Sequence, residues 1–359
     1  MEEVRLMKGN EVLAEAAIRC GCDGYFGYPI TPQSEVLETL MELKPWETTG
    51  MVVLQAESEI AAINMLYGGA ATGKRVMTSS SSPGISLMSE GLSYLAGAEL
   101  PCLVVNVQRG GPGRGTIQPS QSDYFQATKA PGHGGFRMIV LAPFSVQEMH
   151  DFVGLAFDLA FKYRTPVMIL SDGVIGQMME KVVLGPQQPR WTDEYIAETC
   201  MDWALTGKKG RGRNIVTSVD LDPNSHERFN LKLQAKYRNI EENEVRYETV
   251  RTDDAEYLLV AYGSAARIGE KVVEMAREEG YRLGLLRPVT LYPFPTGPIE
   301  VLSRQVKGIL ALEMSAGQLI EDVKLASQCR VPAYHYGRTG GVVPSPGEVY
   351  EAFKAHFPK

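Results

Sequence analysis

The chain has 359 residues, 44% of them hydrophobic, and a formal net charge of −7, which suits two domains with room for a third small one. The acidic balance argues against nucleic acid or an anionic membrane as the main partner, and no apolar run is long enough to span a bilayer. Five scattered cysteines, and a start at Met1-Glu2-Glu3-Val4-Arg5 without the apolar core of a signal peptide, point to the reducing cytoplasm and to no metal site in this chain. Cys20-Gly21-Cys22 is too tightly spaced for the usual metal or redox pair.

In chain order, residues 10–19 have helical spacing and glycines at 21 and 24 break it. A strand is expected over 25–30 and a helix over 33–43. The β-branched run 51–54 predicts a strand, and 57–71, rich in Ala, Ile and Leu, predicts a helix. A strand over 75–78 is followed by the serines at 79–82 and by Pro83, a helix-start signal. Residues 102–107 read as a buried strand, 146–161 as a helix and 166–170 as another strand. Alternation of this kind predicts an α/β fold with a doubly wound parallel sheet.

Between 185 and 251 the alternation fails, apart from a helix expected over 226–242. The basic residues Lys208, Lys209, Arg211 and Arg213 read there as a solvated loop, a phosphate patch being the weaker alternative. A second α/β unit begins near Glu256, with strands over 257–261, 282–286 and 308–312 and helices over 263–279 and 317–327. The expected division is 1–185, a connecting segment 186–250, and 251–359.

Three short segments each follow a predicted strand, and so belong at the carboxyl ends of parallel strands, where open α/β sheets hold ligands. In Tyr28-Pro29-Ile30-Thr31-Pro32 the prolines stiffen the backbone around Thr31. Its hydroxyl either caps the next helix, with Glu35 in the first turn, or faces a substrate. Glu57-Ser58-Glu59 opens an apolar helix. Acidic residues there are favoured by the helix dipole in free water. Yet Ile60, Ala61, Ala62 and Ile63 follow at once, which suggests that Glu59 lies against an interface and needs a partner such as a heterocyclic N–H. Arg109 ends the strand from Cys102 and requires an anion, while glycines at 110, 111, 113 and 115 let a ligand approach the backbone. Pro112 spoils a dinucleotide-binding match. Residues 68–74 fit GxxxxGK, but Arg75 follows and the run ends a helix, so the phosphate-loop reading fails.

Taken together, Tyr28 to Pro32, Gln55-Ala-Glu-Ser-Glu59, Thr78-Ser-Ser-Ser-Ser-Pro-Gly84, Gln108-Arg-Gly-Gly-Pro112 and Ile117-Gln-Pro-Ser-Gln-Ser-Asp-Tyr-Phe125 resemble the α-subunit of 2-oxoacid:ferredoxin oxidoreductases. The likeness is nearest to the branched-chain (2-ketoisovalerate) type and covers nearly the whole chain. Arg287-Pro-Val-Thr-Leu-Tyr-Pro-Phe-Pro295 looks like the transketolase C-terminal-type domain of the same subunits.

The resemblance implies a pyrimidine-type thiamine diphosphate-binding domain over 1–185 and a transketolase C-terminal-like domain over 251–359. Tyr28, Pro29, Ile30, Thr31 and Glu59 would line the cofactor. Glu59 would hydrogen-bond the aminopyrimidine N1′, and Thr31 and Arg109 would position the substrate carboxylate and carbonyl. A separate β-subunit would bring the diphosphate and Mg²⁺ site. Iron–sulfur clusters would lie in partner subunits, among them small ferredoxin-like and γ subunits, with coenzyme A and ferredoxin completing the reaction. Arg114 stands where a branched-chain enzyme is expected to have a small or apolar residue, which keeps 2-oxoglutarate as an alternative substrate. Another thiamine-dependent lyase, or an assembly subunit without catalysis, are the other readings.

Overall fold

The computed structural model describes residues 3–358; Met1 and Glu2, part of the start read as lacking a signal peptide, and Lys359 lie outside them. In chain order its strands are β1 (Glu3–Lys8), β2 (Gly24–Gly27), β3 (Val52–Gln55), β4 (Val76–Ser80), β5 (Cys102–Gln108), β6 (Ile139–Leu141) and β7 (Pro166–Asp172). Then come β8 (Met179–Leu184), β9 (Tyr247–Val250), β10 (Tyr257–Ala261), β11 (Leu283–Pro288), β12 (Thr290–Tyr292), β13 (Gly308–Glu313) and β14 (Ala333–Gly337). One sheet runs β12-β6-β7-β5-β4-β2-β3, a second β14-β13-β10-β11-β9, and β1 pairs antiparallel with β8. Pairing is parallel within both sheets except at β12 and β9. Every residue of β5 and β7 is buried, because helices cover both faces, and this is why those strands read as largely apolar runs.

The expected strand over 25–30 stops at Gly27. Gly27 O still accepts Ala56 N (2.8 Å), but Pro29 has no N–H for a ladder and the Tyr28 carbonyl is taken by the Gln33 side chain (3.2 Å). The short strand β12 escaped the sequence. It comes from the second half of the chain and adds to the first sheet, with Thr290 opposite Leu141 and Ala142 N donating to Val289 O (2.8 Å). Beside it Arg287, 2% exposed, makes a two-pronged pair with Glu148 (2.9 and 2.7 Å) and stacks over Phe144 at 4.0 Å. Such fork geometry fixes orientation as well as charge, so this pair ties the second sheet to the helix Val146–Tyr163 of the first unit.

The connecting segment holds helices Asp193–Thr199 and Pro223–Asn243. The second begins earlier than the expected 226, because Asp222 caps it by accepting Asn224 N (3.1 Å) and Pro223 occupies its first turn. Trp191 packs edge-on to Phe161 and beneath Arg75, and Trp203 lies beneath Arg164, so the segment lies back on the first unit. Its basic run is a loop in which Arg211 donates to Ala204 O (3.0 Å).

Glu244 closes the helix Pro223–Asn243 and accepts bonds from Lys162 (2.6 Å), Tyr163 (2.7 Å) and Arg246 (2.8 Å). Burial pushes its pKa up, but these three donors outweigh burial and hold it at about 2. A depressed carboxylate stabilises the fold above its ordinary value and loses that contribution as pH falls through the folded value. Stability is therefore expected to fall between pH 4.5 and about 2, and Glu244→Gln to be less stable at neutral pH yet to lose less on acidification. Urea unfolding across this pH range reads the difference; parallel curves for the two proteins would contradict it.

Candidate active site

The carboxyl ends of β2, β3, β4 and β5 lie along one edge of the first sheet, and three segments there wall the candidate site. At its first wall the turn 28–33 is held from below. Asn10 Nδ2 donates to Pro32 O (2.6 Å) and Glu35 (2.9 Å), and Gln177 Nε2 donates to the same two groups (3.2 and 2.7 Å). Gln33, fully buried, accepts Ser79 Oγ (2.6 Å). The following helix, Ser34–Leu43, has Gln33 at its cap position without a side-chain cap bond. Thr31 therefore does not cap this helix, contrary to one reading of the sequence. Engagement of Pro32 O and Glu35 by Asn10 and Gln177 holds the turn instead, and Thr31 is left exposed at its tip.

The second wall is the helix Glu59–Ala71, capped by Ser58, whose Oγ accepts Ala61 N (3.2 Å). Glu57, expected within this helix, lies before its start and is exposed, because Ser58 takes the capping position. Glu59 is 6% exposed, and its carboxylate has no hydrogen-bond or ion-pair partner among the described residues. It faces Gly84, where a Cβ would lie 2.6 Å from Glu59 Oε1 and 2.0 Å from Ser80 Oγ. Ser80 Oγ is itself buried and unpaired, as are Thr78 Oγ1 and Ser81 Oγ. Ile60 is 53% and Leu87 51% exposed, with Val52 and Leu54 on the edge strand β3 also bare.

The third wall is Arg109. Its backbone N donates to Ser82 Oγ (3.0 Å), which itself donates to Asp123 (2.5 Å). Asn106 Nδ2 also donates to Asp123 (3.0 Å), while its oxygen accepts Ser82 N (3.1 Å). Burial pushes the Asp123 carboxyl above its ordinary range, and the bonds from Ser82 and Asn106 pull only part of the way back. The Arg109 guanidinium donates to Thr31 O (2.9 Å) and Arg114 O (3.2 Å), and its Nε is buried and unpaired. No carboxylate pairs with it among the described residues. The structure thus brings Thr31 and Arg109 into contact, while Glu59 is joined to them through the turn 80–84.

A carboxylate buried without a donor is costly to leave alone. Here Glu59 packs so closely on Gly84 and Ser80 that no Cβ would fit at 84, and its unpaired carboxylate can accept a hydrogen bond from the donating ring nitrogen of a ligand. A guanidinium bonded to two carbonyls and to no acid fits an incoming anion. Among the described residues no group of His, Cys, Asp and Glu could hold a metal ion, and no helix is long and apolar enough to cross a membrane.

Residues 15–232 match the family model for pyruvate flavodoxin/ferredoxin oxidoreductase, thiamine diP-bdg, and residues 255–349 match that for pyruvate:ferredoxin oxidoreductase core domain II. The chain is 51% identical over 91% of its length to the ketoisovalerate oxidoreductase subunit VorB of Methanothermobacter thermautotrophicus, of which it covers 90%. The chain belongs to the 2-oxoacid:ferredoxin oxidoreductase family. It is also 36% identical over 93% of its length to the 2-oxoglutarate synthase subunit KorA of Archaeoglobus fulgidus, covering 94% of that protein. The structure superposes on a 2-oxoglutarate:ferredoxin oxidoreductase from Magnetococcus marinus with a TM-score of 0.87 at 26% identity, covering 99% of this chain and 65% of that one. A split-gene transketolase shares the fold alone, with a TM-score of 0.58 at 13% identity.

As a member of the 2-oxoacid:ferredoxin oxidoreductase family the chain carries a thiamine diphosphate-binding domain, and it is an oxidoreductase subunit that works in a multi-subunit complex. The α/β fold with two mainly parallel sheets is the one expected from the alternating pattern. Gln33 and Asn106 belong to no site segment named from the sequence, while Ser80, Ser82, Gly84 and Asp123 lie within the segments that carry the family resemblance without a role of their own. The hydroxyl run 78–82 was noticed as a motif, and its one local signal was polarity at the end of an apolar strand.

Proposed function

We propose that this chain supplies the aminopyrimidine side of the thiamine diphosphate site in a 2-oxoacid:ferredoxin oxidoreductase, with 2-ketoisovalerate as substrate. The observation that carries this reading is the buried, unpaired Glu59 carboxylate facing Gly84 and Ser80. The complex would convert 2-oxoacid, coenzyme A and two oxidised ferredoxins to acyl-CoA, CO₂, two reduced ferredoxins and one proton. Thiamine diphosphate, when bound, supplies the electron sink for loss of CO₂. Glu59 accepts the ring nitrogen's hydrogen bond, and the apolar run that follows it keeps the contact dry. Arg109 takes the 2-oxoacid carboxylate, and its bond to Thr31 O sets the guanidinium beside the exposed Thr31 hydroxyl, which reaches the carbonyl. Tyr28, Pro29 and Ile30 form the rim against which the cofactor lies.

The bare apolar surface of Val52, Leu54, Ile60 and Leu87 beside Glu59 is the face a β-subunit would cover, bringing the diphosphate and Mg²⁺ site. Iron–sulfur clusters belong to that subunit or to small ferredoxin-like and γ subunits. In this reading 1–185 is the cofactor unit, 186–250 connects, 251–359 is the transketolase-like unit, and the complex works in the cytoplasm. The higher identity to a ketoisovalerate enzyme than to 2-oxoglutarate enzymes supports the substrate. One observation favours 2-oxoglutarate: Arg114 is exposed beside Arg109 and has no acidic partner among the described residues, so it is free to meet a second carboxylate.

The test compares the purified chain with the chain assembled on its partners. The single chain is expected to show no iron–sulfur absorbance and weak thiamine diphosphate binding. The complex is expected to reduce viologen faster with 2-ketoisovalerate than with 2-oxoglutarate. Stoichiometric iron–sulfur absorbance in the single chain would sink the division of labour, and a preference for 2-oxoglutarate would hand the site to Arg114.

A further inference from the structure

The loop that follows Arg109 folds into a tight return. Gly110 N donates to Gln118 O (2.9 Å) and Thr116 N to Gly110 O (2.8 Å). Gly115, at φ +52°, sits so close that a Cβ there would lie 1.8 Å from Gly110 O. Gly340 and Gly341, in the loop that leaves the carboxyl end of β14, pack against this return. Gly341, at φ +89°, presses on it: a Cβ there would lie 2.3 Å from Gln118 Cβ and 3.0 Å from Thr116 Cγ2. From the other side, a Cβ on Gly110 would lie 2.7 Å from Thr116 Cγ2 and 3.1 Å from Gly341 N. The two glycines meet with the Thr116 methyl wedged beside them.

The chain leaving the return is clamped to the same sheet. Gln121 N donates to Met314 O (2.9 Å), and Gln121 Oε1 accepts Met314 N (3.0 Å). Gln121 Nε2 donates to Tyr262 O (2.8 Å), and Gln318 bridges Phe125 N (2.7 Å) and Ser122 O (2.7 Å). The return is therefore held along its outer side and at its exit by the second sheet. What it holds in turn is the Arg109 guanidinium, through Arg114 O (3.2 Å).

We propose that Gly341 is a positioning residue for the 2-oxoacid: its contact with Gln118 and Thr116 fixes the return that orients Arg109. This rests on the reading of Arg109 as the group that takes the substrate carboxylate. Packed backbone transmits a displacement because it cannot compress, so a methyl at 341 moves the return and with it the guanidinium.

The test measures steady-state kinetics of the assembled complex. Gly341→Ala is expected to lower kcat/KM for the 2-oxoacid by about tenfold or more, since a misplacement of about 1 Å can cost on the order of a hundredfold. The KM for coenzyme A stays at the parent value. Gly340→Ala is the control for backbone conformation: its φ of +64° is also left-handed, but a Cβ there meets open space, and the 2-oxoacid kinetics stay near the parent. Adding Gln118→Gly to Gly341→Ala removes the clashing Cβ and restores the loss, whereas adding Gln118→Ala keeps that Cβ and does not. Should Gly341→Ala fail to assemble, Thr116→Ser withdraws the wedged methyl, retains the hydroxyl that accepts Gln118 N (3.2 Å), and is expected to lower the same kcat/KM; parent kinetics would overturn the proposal. A loss shared by Gly340→Ala, or one not restored by Gln118→Gly, overturns it as well. Arg109→Lys is measured alongside. Parent kinetics in Gly341→Ala with a defect in Arg109→Lys defeats this inference alone, while parent kinetics in Arg109→Lys defeats the underlying reading and this inference with it.

Discussion

Replacing Glu59 by glutamine in the assembled complex lowers turnover by roughly 10²–10⁴-fold, the usual worth of a placed acid–base group, and leaves the chain folded. The two side chains have the same shape, so the packing against Ser80 and Gly84 is kept. What changes is charge. Glu59 is 6% exposed and has no donor among the described residues, so no partner within the chain is lost with the charge. Removing that charge is therefore expected to cost the fold little. Turnover and stability are therefore expected to move apart, which a merely structural carboxylate would not do. Exchange of the cofactor C2 proton with solvent separates this step from later ones, because it needs only the cofactor and the complex. Exchange at the parent rate in Glu59→Gln would show that some other group faces the ring nitrogen.

Arg109→Lys keeps the charge and is nonetheless damaging. A lysine offers one ammonium where the arginine now reaches Thr31 O (2.9 Å) and Arg114 O (3.2 Å) with separate nitrogens and keeps a third, Nε, buried and unpaired. It cannot span both carbonyls and also present two parallel donors to a carboxylate. Loss of one charge-assisted contact is worth about 1.5–3 kcal/mol, or roughly ten- to a hundredfold in apparent affinity. The defect falls on the 2-oxoacid and spares coenzyme A and ferredoxin, so KM values for the three are measured separately. An enzyme impaired only toward coenzyme A would place Arg109 outside the substrate pocket. Because Glu59 and Arg109 do not touch, the two substitutions are expected to act on different steps, one on cofactor activation and the other on substrate capture.

Much of the sheet architecture was legible from local chemistry. β5 and β7 are covered on both faces, so they are largely apolar, with polar residues gathered toward their carboxyl ends. Pro83 marks a helix start by its own covalent geometry. Glu59 is notable because apolar residues follow it at once, although the helix dipole alone would favour an acid there. The tertiary structure decided what depends on residues far apart in the chain. Gln33 and Asn10 end β2 and turn Thr31 outward, where local pattern allowed a cap. Ser82, Asn106 and Asp123 join around the Arg109 backbone across more than twenty residues of sequence. β12 has three residues, too few for any periodicity, and is a strand because Leu141 and Val140 lie opposite it. Gly84 and Gly341 look like ordinary glycines in the sequence. Each matters because another part of the chain occupies the place its side chain would fill, and that occupancy exists only once the chain has folded.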